Sequence, residues 1–191
     1  MKTLLVSATK EEISVSNLTH LVTGVGMVST AIAVTKALSD TNYDLVINAG
    51  IAGSFNRSLN IGQVVEVTRD YFSEIGAQDG VHFLTPGEMG LSAITDLQTH
   101  AITHLEKVSG ITVNTVHGDE IAIQKVVHRF NPQIESMEGA ACMLACQQAG
   151  VPCVQIRAIS NYVEKRNKAN WNIPLAIRNL NQELTKIISS I

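Results

Sequence analysis

Six short stretches carry residue types that could do chemistry, and each follows a run that reads as a β-strand or opens a helix. Glu11 and Glu12 offer carboxylates suited to general-base work or to holding hydroxyl groups. Adjacent carboxylates point to different sides, so only one can enter a site. Their bland alternative is a first helical turn, where the macrodipole favours acid. Thr23-Gly24-Val25-Gly26-Met27-Val28-Ser29 has glycines that let backbone amides approach a ligand, with a helix N-terminus behind them. A tight turn without a ligand is the alternative. The stretch lacks the third glycine and the later acidic residue of a dinucleotide fingerprint. Asn48-Ala49-Gly50-Ile51-Ala52-Gly53-Ser54 suggests a second glycine turn at the same sheet edge.

His117-Gly118-Asp119-Glu120 closes another strand. Glu135-Ser136-Met137-Glu138-Gly139-Ala140-Ala141 leads into a helix, whose first turn Glu138 could simply cap. Arg157-Ala158-Ile159-Ser160-Asn161 closes the last strand. An arginine inside an apolar strand needs a carboxylate partner, because an unpaired buried charge is costly. His100 and His104 are spaced for one helical face, but a metal site needs a third ligand and none is indicated. Cys142, Cys146 and Cys153 read as buried reduced thiols rather than a disulfide framework.

The elements that must position these residues alternate in type. Strands are expected at Leu4-Leu5-Val6, His20-Leu21-Val22, 44–48 (ending at Gly50), 63–68, 111–116 and 154–160. Helices are expected at 28–38, 92–107, 138–149 and 173–188. Gly150 stands where a left-handed helix stop belongs, with Pro152 two residues later. The pattern implies a single α/β domain over 1–191, with a central mixed sheet flanked by helices. In such sheets ligands bind beyond the carboxyl ends of the strands.

The 191 residues are 45% hydrophobic and 16% charged, which excludes disorder for the bulk of the chain. A formal net charge of -3 without a basic run gives nucleic acid no electrostatic partner. No run reaches the length of a membrane-spanning helix. Met1 to Ser7 runs straight into a strand, not an apolar leader, and a cytoplasmic, reducing location is expected.

Taken together, these stretches resemble the nucleoside phosphorylase and nucleosidase superfamily. Ala8-Thr9-Lys10-Glu11-Glu12-Ile13 looks like the catalytic carboxylate segment of the methylthioadenosine/S-adenosylhomocysteine nucleosidases, and Thr23-Gly24-Val25-Gly26 like their SGxG turn. Asn48 to Gly53 resembles their NxGxAG segment, Met137 to Ala141 their MEGAA-type ribose segment, and Arg157 to Asn161 their RAISD strand end. Within the superfamily the likeness is greatest to the futalosine hydrolases. Its carriers are Gly76-Ala77-Gln78-Asp79-Gly80, Glu135 to Ala140, Ile159 to Glu164 and Trp171-Asn172-Ile173-Pro174. The resemblance implies hydrolysis of futalosine to hypoxanthine and dehypoxanthine futalosine in menaquinone biosynthesis. Water is then the nucleophile, without metal or cofactor, and the assembly is a homodimer or larger homo-oligomer.

It also implies roles. Glu12 is the general base for water, with Arg157 orienting it, and Glu138 holds the ribose hydroxyls while Met137 packs on the sugar. Asn161 stands where adenine-specific relatives have aspartate. Its NH₂ can donate to N7 and to a carbonyl O6, which favours a 6-oxopurine. Thr23, Gly24, Gly50, Ile51, Ser136 and Ser160 join the substrate contacts. Trp171 matches an aromatic that closes the site, and Ile121 stands where relatives place a stacking phenylalanine. Glu120 could accept from N1–H. Asn48 and Ile51 occupy places where phosphorylases carry arginine and serine, so hydrolysis is favoured over phosphorolysis. Ser136 replaces the first glutamate of the nucleosidase pattern, leaving fewer ribose contacts. The alternatives are an adenine-releasing nucleosidase acting on aminofutalosine or methylthioadenosine, and a nucleoside-binding protein without turnover.

Overall fold

The apolar runs become strands because both of their faces are covered. In the computed structural model, which describes residues 1–190, the elements follow in chain order. They are β1 (Thr3–Ser7), β2 (Thr19–Val22), α1 (Met27–Asp40), β3 (Leu45–Ser54), β4 (Val64–Phe72), β5 (Ala77–Asp79) and β6 (His82–Leu84). Then come β7 (Asp96–Gln98), β8 (Glu106–Thr112), α2 (Glu120–Phe130), β9 (Ile134–Ser136), α3 (Gly139–Ala149), β10 (Cys153–Tyr162) and α4 (Ile173–Ser190). Short 3-10 turns cover Lys10–Glu12 and Lys168–Asn170. Ile191, counted in the expected domain, lies outside the described residues.

An eight-stranded mixed sheet runs β10–β4–β8–β9–β3–β1–β2, with β7 added to β4. β10 also pairs with β3, so the path from β10 to β3 closes into a ring. Successive side chains alternate between two cores, as the strand period of two requires. Leu4, Val6, Val46 and Cys153 pack with α1 and α3. Leu5, Ile47, Val154 and Ile156 pack under Ala176, Leu180, Leu184 and Ile187 of α4. The two covered faces are what make these strands predominantly apolar, with buried Asn48, Gln155 and Arg157 as polar exceptions in β3 and β10.

Several expectations are corrected. No helix forms over 92–107: Leu97 is buried, but Leu91, Ile94 and Ile102 are exposed. The cause lies in Glu66, whose two oxygens take the N–H groups of Ile102 and Thr103 that a helical ladder would use. His100 and His104 therefore share no helical face, and His104 Nε2 instead lies 3.1 Å from Glu183 of α4. The strand expected at 111–116 begins earlier, at Glu106, and ends at Thr112. β3 does not stop at Gly50 but continues to Ser54, so its glycines lie in a strand and form no second turn. The stretch after β2 does turn, with Gly24 and Gly26 at φ 84° and 99°. Gly150 closes α3 at φ 68°, in the left-handed region.

Candidate active site

At the carboxyl ends of β1, β3 and β10 lies a cavity of about 550 Å³, within the range of small-molecule sites. Its wall includes Ala8, Thr9, Glu11, Glu12, Ile51 and Gly53 on the β1 and β3 side. Both adjacent glutamates border it, against the expectation that only one could, Glu11 from the exposed side of the 3-10 turn and Glu12 from its buried side. His117, Glu135, Ser136, Met137, Glu138, Ser160, Asn161, Arg166 and Trp171 complete much of the rest.

Glu12 is buried and fixed from three sides. Its Oε2 accepts from the Thr9 N–H at 2.9 Å and from Thr9 Oγ1 at 3.2 Å, which closes a capping box on the 3-10 turn. Its Oε1 accepts from the Ile51 N–H at 3.3 Å. A Cβ on Gly50 would sit 2.9 Å from that Oε1, so the absence of a side chain admits the carboxylate. Ser7 braces the segment: its hydroxyl donates to Thr9 O at 2.6 Å and lies 2.8 Å from His20 Nε2. Burial pushes His20 below the ordinary histidine range, against the pull of the Glu12 charge.

Glu138 makes no capping bond to α3. Its Oε1 instead accepts from the Gly26 N–H at 2.9 Å, in the turn after β2. Burial pushes its pKa up, and the Arg157 charge and the Gly26 bond oppose this while the Glu12 charge adds to it. The glycine after it is dictated by packing. A Cβ on Gly139 would collide with Asp70 and Gln155. These two side chains bond each other at 2.9 Å, and Thr112 bonds both Asp70 and the Ala140 N–H, tying the start of α3 to the sheet.

Arg157 is 1% exposed and stands behind the wall, not in it. The expected carboxylate partner is replaced by carbonyl oxygens. Its Nη2 donates to Asn48 Oδ1 at 2.5 Å, and Nη1 lies 3.2 Å from Asn48 O and 3.0 Å from Ile156 O. The amide oxygens satisfy both terminal nitrogens of the guanidinium, while the buried Nε has no hydrogen-bond partner among the described residues. Its charge still reaches Glu138 and Asp70 through space. Burial raises Asp70 to about 6 despite the Gln155 bond and that charge.

Asn161 lines the cavity with its amide partly engaged: Nδ2 donates to Tyr162 O at 3.0 Å, and Oδ1 accepts from Ser160 Oγ at 2.8 Å. One N–H of the amide remains for a ligand. Arg166 stacks on the Trp171 ring at 4.8 Å.

The cavity thus brings together Glu12, Ile51, Ser136, Met137, Glu138, Ser160, Asn161 and Trp171. Thr23, Gly24 and Gly50 lie outside its wall. Thr23 Oγ1 is occupied by Gly24 O at 2.8 Å and by Thr30. Glu120 and Ile121 also lie outside, on the exposed first turn of α2, where Ile121 is 64% exposed. The reason is Asp119, whose side chain caps α2 through the Ala122 N–H at 2.9 Å and turns the chain away from the cavity. His117 and Glu135 were not assigned a role from sequence, yet both face the cavity and bond each other. Their signal was an acid between Ile134 and Ser136 in a strand-like run.

Among the described residues one group could hold a metal: Cys142, Cys146 and Cys153, with sulfur atoms within 4.8 Å of one another. They lie in the core between α3 and β10, outside the cavity wall. Three thiols leave a tetrahedral zinc ion one ligand short. No described helix is long and apolar enough to cross a membrane.

A family model described as the phosphorylase superfamily matches residues 9–190. The chain is 31% identical over 159 residues to the futalosine hydrolase of Streptomyces coelicolor, covering 79% of this chain and 68% of that protein. It is 29% identical over 182 residues to the 5'-methylthioadenosine/S-adenosylhomocysteine nucleosidase of Psychromonas ingrahamii, covering 88% and 79%. In fold it matches the native futalosine hydrolase of Helicobacter pylori at a TM-score of 0.82 and 18% identity, over 99% and 97% of the two chains. It also matches the 5'-methylthioadenosine/S-adenosylhomocysteine nucleosidase of Neisseria meningitidis in complex with methylthio-immucillin-A, at 0.83 and 18%, over 100% of both.

Proposed function

The chain belongs to the phosphorylase superfamily, and on that premise we propose that it is a nucleosidase hydrolysing the N-glycosidic bond of futalosine, releasing hypoxanthine. The observation that carries this reading is the pair of carboxylates in one cavity, Glu12 and Glu138, each held by backbone N–H groups and neither spent on a salt bridge. Glu138 accepts hydrogen bonds from ribose hydroxyls, bonds that strengthen as the sugar becomes cationic. Glu12 takes a proton from the attacking water. Arg157 acts on Glu138 by its field from behind the wall. The free N–H of Asn161 meets the oxygenated edge of the purine, and a site built for that pattern rejects a 6-amino base.

Arg166 and Trp171 together suit an anionic aryl group on the ribose 5′ side, such as the carboxyphenyl tail of futalosine. Among the described residues of the cavity wall Arg166 is the one arginine, and Arg157 is buried behind the wall, so no cluster of arginines is gathered there to hold phosphate as a second substrate. Exposed Val22, Val25, Val28 and Ile32 lie on and beside α1, and Val25 also lines the cavity. This surface supports a reading as a homodimer.

The experiment is incubation of purified protein with futalosine in phosphate-free buffer, with free bases separated by chromatography. Hypoxanthine is expected. Adenine released faster from aminofutalosine or methylthioadenosine supports the second reading, which the Psychromonas relative favours. Base release only after phosphate is added makes the protein a phosphorylase. No release from any of these nucleosides leaves a binding protein.

A further inference from the structure

Gly53 of β3 is paired with Asn161 of β10 on one side and with Glu135 of β9 on the other. A Cβ on Gly53 would lie 3.2 Å from Asn161 Nδ2 and 3.7 Å from Glu135 Cγ, so the two side chains flank the same spot. Glu135 is 3% exposed and spends both oxygens on one residue. Oε1 accepts from the His117 backbone N–H at 3.0 Å, and Oε2 lies 2.7 Å from His117 Nδ1. A carboxylate on Nδ1 keeps a proton there and leaves Nε2 for another partner. Among the described residues Nε2 has no hydrogen-bond partner, and the ring lines the cavity. Phe55 meets the imidazole edge-on at 6.3 Å, which further fixes its plane.

The nucleosidase reading leaves one task without a residue. A purine that departs with the bonding electrons needs a proton, and asparagine has none to give. We propose that His117, held by Glu135, is the general acid that protonates the departing base; the proposal rests on the nucleosidase reading. In the step, the C1′–N9 bond breaks and its electron pair goes to the purine. The Nε2 proton of the imidazolium passes to a ring nitrogen of the base. The water oxygen bonds to C1′ and gives a proton to Glu12. Solvent then takes the proton from Glu12 and restores the one on His117. Before transfer, Glu135 stabilises the imidazolium, as a buried carboxylate does beside a catalytic histidine.

The charged groups that face the imidazole are few. Glu135 comes from β9 and Asp119 from its own loop, and Glu164 and Arg166 follow β10, with backbone packed on Gly118. Glu11, Glu12 and Glu138 share the cavity.

The test pairs a purine nucleoside that the parent enzyme cleaves with its N7-methylated form, whose base leaves uncharged and needs no acid. His117→Gln is expected to lose about 100-fold or more in kcat on the unmodified nucleoside. On the methylated one it should lose less than about tenfold, since acid catalysis contributes nothing there. Glu135→Gln is expected to move the alkaline limb of the kcat–pH profile to lower pH, because the imidazolium has lost its counter-charge. Equal losses of His117→Gln on both nucleosides, or full activity on the unmodified one, overturn the proposal and leave the nucleosidase reading standing. If His117→Gln does not fold by circular dichroism, the Glu135→Gln profile decides, and an unmoved alkaline limb overturns the proposal. A parent enzyme that releases no base from any purine nucleoside brings down the nucleosidase reading and this proposal with it.

Discussion

Glu66 and Glu138 are both carboxylates withdrawn from bulk water, and the chain treats them in opposite ways. Glu66 is fully tied off by the N–H groups of Ile102 and Thr103, the Thr103 hydroxyl and, at 3.0 Å, Lys107 Nζ. Burial alone would raise its pKa, but these donors outweigh burial and hold it below the ordinary range. Glu138 has one backbone donor on Oε1, a distant cation and an open cavity in front, and its pKa rises. A carboxylate with its lone pairs filled is a fastener, and one with lone pairs spare is a reagent. Glu12 belongs with the second kind, having been positioned by Thr9 and Ile51 without being consumed by them.

The strongest way to break this contrast is Glu12→Gln. Turnover is expected to fall by about two orders of magnitude or more, the range that proton transfer supplies, with a melting temperature near that of the parent. Hypoxanthine release measured at saturating futalosine checks it, and retention of most activity removes Glu12 from the chemistry. Asp70 sharpens the contrast, because it is buried beside Gln155 and Thr112 with no cation in contact. Its folded pKa of about 6 lies above its ordinary 3.8, so the folded protein holds the proton more tightly. That stability is fully present below about pH 4 and is lost as pH rises through about 6, roughly 3 kcal/mol at about 1.4 per pH unit. Urea unfolding of the parent and of Asp70→Asn at pH 4 and pH 6.5 reads it. A parent-minus-variant difference that stays constant between the two pH values refutes it.

Glu66→Gln is the mirror experiment to Glu12→Gln. It is expected to cost about 1–3 kcal/mol of stability, through unsatisfied donors in the 99–105 loop, and to leave kcat/KM within about twofold. Loss of activity without loss of stability contradicts the fastener role. The smallest effect is expected of Gly50→Ala, whose methyl group displaces the Glu12 carboxylate without touching either core. A fall of about tenfold in kcat at unchanged stability is the expected outcome, in line with the sensitivity of catalysis to misplacement. Full activity shows that Glu12 tolerates the shift.

Which kind of carboxylate a glutamate becomes was only half legible in the sequence. β1, β3 and β10 announced themselves, because strands covered on both faces read as near-continuous apolar runs. Gly150 announced the end of α3 by the backbone conformation that it alone adopts cheaply. The stretch 92–107 misled because its apolar spacing is helical, while the decisive interaction is long-range: Glu66, some 36 residues earlier, claims the amides of Ile102 and Thr103. Motif order located Glu12, Glu138 and Asn161, whose side chains meet in one cavity. It also pointed to Glu120 and Ile121, since linear spacing does not reveal that Asp119 caps α2 and carries both to the surface. The His117–Glu135 pair escaped for a related reason: 18 residues separate the partners, and only the sheet brings them together.

Gly50 and Gly53 belong to one uninterrupted strand, the first beside Glu12 and the second between Asn161 and Glu135. The covalent backbone therefore acts as a ruler, roughly 10 Å long for three residues of extended chain. Neither end can drift relative to the other without breaking the ladder to β10. Tolerance for bulkier nucleosides must then be sought at the rim, around Trp171 and Arg166, where loops can lengthen without altering the gauge.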